Sequence, residues 1–330
     1  MRNKAYLKAT SILAFTFLYC AMAYLLLTIG TDNLYFDSEK ILDRLSYNYE
    51  EDQSLSFFDS YTLSAYLYKI LTFSQNLNSN MLTSFRHGDF NIISFVFIFQ
   101  FLTMLYICAR AFSYAYRRNL YISLLVFVYM LFSALYLLVP SKDFFIFVLA
   151  YITIFVSFKF RYFVYTYSLF RPFLLMSFLI HIIVTKFTLK KTLLITAVVF
   201  PVLFFIPMPV GLSKPAAFLT ANTGIVNFFP DSNMAVFFLN GTINSIRLFF
   251  PFELFFLELR HWLIAVPKMM LSIIFLYCLI KREKTESLTL FILILSFFYV
   301  QGLFEPDFGS ALRHSYIISP ALIKLIPRRS

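Results

Sequence analysis

Apolar runs of close to bilayer length, bounded at one end by small clusters of basic residues, leave this chain few ways to fold. Leu120 to Val139 and Trp262 to Ile280 are examples, and Lys281, Arg282 and Lys284 close the second. About 20 consecutive apolar residues are what a helix needs to cross the hydrocarbon of a bilayer. The whole chain is 60% hydrophobic, against about 45–50% in soluble domains. The reading is an all-α polytopic membrane protein, residues 1–330 as a single integral membrane domain, with about eight to ten transmembrane helices. No linker sets off a soluble domain. Cys20, Cys108 and Cys278 all fall within apolar runs, so they read as small packing residues and neither a disulfide framework nor a metal site.

The net charge of +11 would point to nucleic acid in a soluble protein. Here the tendency of Lys and Arg to stay cytoplasmic explains it, and no nucleic-acid partner is needed. Arg2, Lys4 and Lys8 precede the first span, Ala9 to Ile29, which reads as a retained anchor, so the N-terminus is expected in the cytoplasm. Asp32 to Phe90 carries nine acids and four bases and is expected outside. Within it, Tyr61 to Leu71 mixes polar and apolar residues at roughly helical spacing and is expected to lie on the membrane surface. Span two is Asn91 to Ala109, followed by a basic loop with Arg110, Arg117 and Arg118; Phe144 to Phe158 is span four. Counted over this topology, 17 Lys and Arg and two acids fall inside, leaving 11 bases and 15 acids outside or at depth.

Tyr162 to Thr185 is interrupted by Arg171-Pro172. A single span there would invert everything downstream, whereas a hairpin of two short helices turning at Arg171-Pro172 keeps both basic flanks inside. Proline suits such a turn, and a broken helix at membrane depth must line a cavity or be buried in protein. A kinked single span with Arg171 near its cytoplasmic end is the other reading. Met208 to Arg260 forms a second long outer segment, polar through Asn222, Asn227, Asp231, Asn233, Asn240 and Asn244, and is expected to lie in the interface. The last span follows Phe304 to Tyr316, a stretch that holds Glu305, Asp307, Arg313 and His314. Ionisable groups where a chain leaves and re-enters a bilayer are costly, which makes them a functional candidate.

The unusual polar residues collect toward the outer side: Lys142, Asp143, Arg171, Arg247, Glu253, Glu305, Asp307, Arg313 and His314. No HExxH, cysteine pair or paired histidine is present, and no Walker, GxGxxG or GxSxG motif. A protein-made metal site, nucleotide hydrolysis and hydrolase-elbow chemistry are therefore not expected. Arginine forks suit a phosphorylated lipid, bind phosphate bidentately and can stabilise a pyrophosphate leaving group. A carboxylate or His314 could take the proton of an attacking hydroxyl. Plainer roles stand beside these: Lys142 snorkelling next to Asp143, Asp307 capping the last helix, and Arg247 pairing with Glu253. His181 reads as a satisfied buried histidine. Asn240-Gly-Thr242 matches a three-residue glycosylation pattern.

Ser141-Lys-Asp143 opening a span, Arg171-Pro172 midway, Arg247-Leu-Phe-Phe-Pro251 after a long outer loop, and Gly309-Ser-Ala-Leu-Arg313-His314 before the last span form an ordered set. From Ser141 onward it resembles the Wzy-type and EpsG-like polymerases of bacterial O-antigen and capsule repeat units. The resemblance implies a GT-C-like fold in the inner membrane and a periplasmic site needing no cofactor. It implies undecaprenyl-diphosphate-linked oligosaccharide as donor and acceptor, membrane lipid around it, and a chain-length regulator protein as a further partner. Carried over, Lys142, Arg171, Arg247 and Arg313 would hold pyrophosphate, with His314 assisting; Glu305 and Asp307 are catalytic candidates from their own residue type and position. A polyprenyl-phosphate-sugar transferase and a flippase for lipid-linked oligosaccharide are the alternatives.

Overall fold

The computed structural model describes residues 9–10, 12–21, 41, 60–71, 93–137, 141–155, 174–186, 189–209, 223–281, 285–305 and 307–327. Among these residues the chain is helical, with two isolated bridges, Pro207 to Asn233 and Gly224 to Asp307, and no strand. It divides into two compact units, Met1–Lys159 and Phe160–Ser330.

The first unit contains α1 (Ile12–Ala21), α2 (Ser60–Leu71), α3 (Ile93–Arg118), α4 (Leu120–Tyr136) and α5 (Lys142–Phe155). Aromatic side chains join these helices. Tyr19 lies flat on Phe101 at 4.9 Å and donates its hydroxyl to the Ala134 carbonyl at 3.1 Å. Phe15 meets Phe127 edge-on at 5.3 Å. Helix α3 runs straight through Arg110, Arg117 and Arg118, which the sequence reading placed in a loop. Arginine is a good helix former, and here its planar head covers tyrosine rings. Arg118 sits 4.2 Å from the Tyr114 ring centre and Arg110 5.9 Å from that of Tyr106. The connection to α4 is Asn119 alone, whose side chain accepts from the Ile122 amide at 3.2 Å.

Helix α2 is where the sequence expects it, but its polar residues turn inward. Thr62, Ser64 and Tyr68 are buried while Ile70 is exposed. The Tyr68 hydroxyl donates to the Ser141 carbonyl (3.2 Å) and accepts from the Ser141 amide (2.9 Å) and from Gln100 Nε2 (2.9 Å). Burial, with a smaller push from Asp143, raises the Tyr68 pKa, so it stays a neutral hydroxyl able to donate and accept at once. Tyr68→Phe strands a buried amide and a buried side-chain amide. It is expected to lower stability by about 1–3 kcal/mol, measured by equilibrium unfolding in detergent, whereas Tyr66→Phe at a half-buried site should change little.

The second unit contains α6 (Leu174–Lys186), α7 (Leu189–Leu203), α8 (Met234–Phe249), α9 (Trp262–Ile280), α10 (Thr285–Phe304), α11 (Phe308–Ser315) and α12 (Ser319–Leu325). Short 3-10 turns, Phe252–Phe256 and Leu259–His261, join α8 to α9, and Tyr316–Ile318 joins α11 to α12. Helix α8 falls within the segment the sequence reading assigned to the interface. It is a packed helix, because its asparagines are satisfied internally and its apolar side meets α10. Phe249 joins three helices, edge-on to Phe275 of α9 at 5.2 Å and to Phe298 of α10 at 4.9 Å. Small residues let α8 and α10 approach closely: Gly302 of α10 faces the backbone of Gly241 and Ser245, as at many helix contacts in lipid. The α11–α12 stretch is buried along most of its length, a core helix and not a surface one.

Among the described residues, two helices are long and apolar enough to cross a membrane, Ile98–Arg118 and Trp262–Ile280. Ile12–Ala21, Leu120–Ala134, Leu175–Lys186, Met234–Phe249 and Leu288–Phe304 are shorter apolar helices. The Arg171-Pro172 turn of the expected hairpin lies outside the described residues.

Candidate functional site

The candidate site lies in the second unit, where α10 ends and α11 begins. Helix α10 stops at Phe304 and α11 starts at Phe308. Asp307 caps α11: its Oδ1 accepts from the Ser310 amide and its Oδ2 from the Ser310 hydroxyl, each at 2.8 Å. That is a side-chain N-cap, so both carboxylate oxygens of Asp307 already have structural work. The Phe308 amide donates to the Thr223 carbonyl at 3.0 Å, which ties the turn to the preceding loop.

Glu305 and His314 come together across this turn. Both are buried, and His314 Nδ1 contacts Glu305 Oε1 in an ion-pair and hydrogen-bond geometry. A ring N–H donating to a carboxylate fixes the imidazole tautomer and orientation, so that Nε2 carries the basic lone pair. The carboxylate also stabilises the imidazolium that forms when Nε2 takes a proton. Arg313 neighbours His314 on α11 and is half-buried.

One turn below, the site continues through residues that the sequence reading did not single out. Lys268 of α9 is fully buried and is the one charged residue between Trp262 and Ile280. Its ammonium donates to Ser315 Oγ at 2.7 Å and to the Ala311 carbonyl at 3.3 Å, and stands 5.1 Å from the centre of the Phe298 ring. The Glu305 carboxylate acts on it as an attracting counter-charge. Gln301 Nε2 donates to the same Ala311 carbonyl at 3.0 Å, and Gln301 Oε1 lies 3.4 Å from the Ser315 hydroxyl. Lys268, Gln301, Ser315, Glu305 and His314 thus form a buried polar layer linking α9, α10 and α11. A lone lysine in an apolar helix is a signal legible in sequence.

Arg247 and Glu253 form a fork. Arg247 Nε donates to Glu253 Oε2 at 3.2 Å, and Nη2 to Oε1 at 2.9 Å and Oε2 at 3.1 Å. Nη1 donates to the Val226 carbonyl (2.6 Å) and to Asn244 Oδ1 (3.1 Å). The guanidinium is occupied on all its edges, so in this structure it braces the loops around α8 and does not present a phosphate cradle. Beyond it a ladder runs along α8. Asn244 donates to Asn227 (2.8 Å), Asn227 to Asp231 (2.7 Å), and Asn240 to Asp231 (2.8 Å) and to the Phe229 carbonyl (2.8 Å). Asn240, Asn244 and Arg247 share one face at helical spacing. The amide of Asn240 is buried and bonded within the protein, so the glycosylation pattern is a packing motif here.

Lys142 and Asp143 belong to the first unit, at the start of α5. Lys142 is buried with its ammonium 3.9 Å from the centre of the Tyr61 ring, and Asp143 is buried in the first helical turn, where an acid suits the helix dipole. Arg171 lies outside the described residues. Among the described residues no group of three or more His, Cys, Asp or Glu could hold a metal ion.

No protein-family profile, no curated protein and no solved structure matches this chain.

Proposed function

We propose that the chain is a polytopic, GT-C-like protein of the bacterial inner membrane, with its N-terminus in the cytoplasm, that polymerises undecaprenyl-diphosphate-linked oligosaccharide repeat units on the periplasmic side. The observation that carries this reading is the buried Glu305–His314 pair beside Arg313, where α10 ends and α11 begins. In the step, a hydroxyl of the acceptor unit attacks the anomeric carbon of the donor chain. The new glycosidic C–O bond forms, and the bond from that carbon to the pyrophosphate oxygen breaks. His314 Nε2 takes the hydroxyl proton, Glu305 stabilises the imidazolium, and undecaprenyl diphosphate leaves with the electron pair. Arg313 and Arg171 are the groups assigned to the leaving pyrophosphate, and Arg247 with Glu253 supports the adjoining wall.

Lys268 favours a second reading, a flippase for the same lipid-linked units. It carries charge into a helix long enough to span a membrane, and intramembrane charges mark transport paths as well as catalytic sites. The location of intermediates in a deletion strain separates the two. Single-unit lipid-linked oligosaccharide accumulating on the outer leaflet is the result expected of a lost polymerase. Accumulation on the inner leaflet would replace the polymerase with the flippase.

A further inference from the structure

The elbow between α8 and α9 carries aromatic and aliphatic side chains where its backbone cannot enter hydrocarbon. Phe250 to Trp262 turns through two 3-10 pieces, held by single backbone bonds such as Leu254 N to the Pro251 carbonyl (3.2 Å) and His261 N to the Glu258 carbonyl (2.9 Å). Such broken backbone exposed to lipid tails would leave polar groups unsatisfied, at several kcal/mol each. Yet Phe256 is 87% exposed and Leu259 74%, and Phe252, Leu257, Trp262 and Leu263 are exposed with them. Glu258, also exposed, sits among them. Apolar side chains on a backbone that needs water or headgroups satisfy both demands at one place, the headgroup–acyl boundary. The apolar surface also extends along α9, through exposed Leu263, half-buried Val266, Met269 and Met270, and exposed Ile273, Leu276 and Ile280.

We infer that the Phe252–Leu263 elbow is a membrane-boundary anchor that docks on the phospholipid headgroup–acyl boundary and sets the depth of the site. The Arg247–Glu253 fork ties the elbow to α8, and Trp262 marks where α9 enters the lipid. Lys268 follows Trp262 by six residues, about 9 Å farther along the helix axis at ~1.5 Å per residue. The Lys268–Gln301–Ser315 layer therefore lies inside the hydrocarbon zone, shielded by protein. Glu305 lies one turn, about 6 Å, back from Gln301 toward the boundary. That depth lets a lipid-borne pyrophosphate at the headgroup level reach Glu305 and His314. The inference rests on the membrane part of the reading above and not on its enzymology.

Trp262 is the only tryptophan, so its fluorescence reports the anchor directly. The full chain is reconstituted in phosphatidylcholine vesicles whose acyl chains carry bromine either near the headgroup or near the chain end. A companion variant, Trp262→Phe with Phe256→Trp, moves the single tryptophan six positions along the chain at an exposed site. The expected result is blue-shifted emission and a greater loss of fluorescence to shallow bromine than to deep bromine, with the same preference at both positions. A helix rising through the bilayer would instead separate the two positions by about 9 Å. Stronger quenching by deep bromine at either position overturns the anchor. So does the absence of quenching in protein retained by the vesicles, since the elbow is then covered by protein or water. Protein that does not stay with the vesicles overturns the membrane reading and the anchor together.

Discussion

Glu305→Leu alone is expected to destabilise the chain by about 3–5 kcal/mol, and Glu305→Leu combined with His314→Leu by clearly less. The single change removes the counter-charge of His314 and also that of Lys268, both of which are buried. The double change removes two polar groups that were costly to bury and replaces them with apolar atoms. A double-mutant cycle, read by equilibrium unfolding in detergent, isolates the coupling between them. Additive effects would mean that the contact contributes nothing beyond each side chain's own packing, and the pair could not then be an oriented acid–base couple.

Gly302→Ala is the second large effect. A Cβ there meets the Gly241 carbonyl and the Ser245 amide, which are backbone atoms and cannot rotate away. The two helices must separate, and the Asn244 contact with the Gly302 carbonyl (3.4 Å) is lost with them. Overpacking of this kind costs about 3 kcal/mol. Gly241→Ala meets the Leu303 side chain first, which can change rotamer. Alanine also gains about 1 kcal/mol over glycine inside a helix. That gain offsets much of the strain at Gly241 and little of it at Gly302. Detergent unfolding should therefore show Gly241→Ala near neutral and Gly302→Ala strongly destabilised; the reverse order would contradict the α8–α10 packing.

The helical character of the chain was legible because apolar runs and their basic ends are written along it. Trp262 to Ile280 was read from sequence with the boundaries it has in the structure. The ends of other helices were not, where polar residues continue a helix by covering aromatic rings, as Arg118 does on Tyr114. Helix α8 was missed because asparagine lowers local hydropathy, whereas its amides here are bonded to Asp231, Asn227 and backbone carbonyls. Polarity in a sequence measures exposure only when the polar group has no internal partner. The Glu305–His314 pair was partly legible, since both residues sit in one short polar stretch. Lys268 stands out in sequence as a lone charge in an apolar run, but its partners do not, because Ala311 and Ser315 come from another helix and only the packing brings them to it. For Asp307 and Arg247 the plainer roles open in the sequence, a helix cap and a pairing with Glu253, are the contacts the structure contains.

The most direct measurement is surface-polysaccharide length in a deletion strain complemented with wild type, Glu305→Gln, His314→Gln or Arg313→Ala, with protein level followed in each. The expected result is long chains with wild type and single capped units with each variant, at comparable protein level. Full-length chains from the Glu305 and His314 variants, or unchanged chain length in the deletion strain itself, would contradict the proposal.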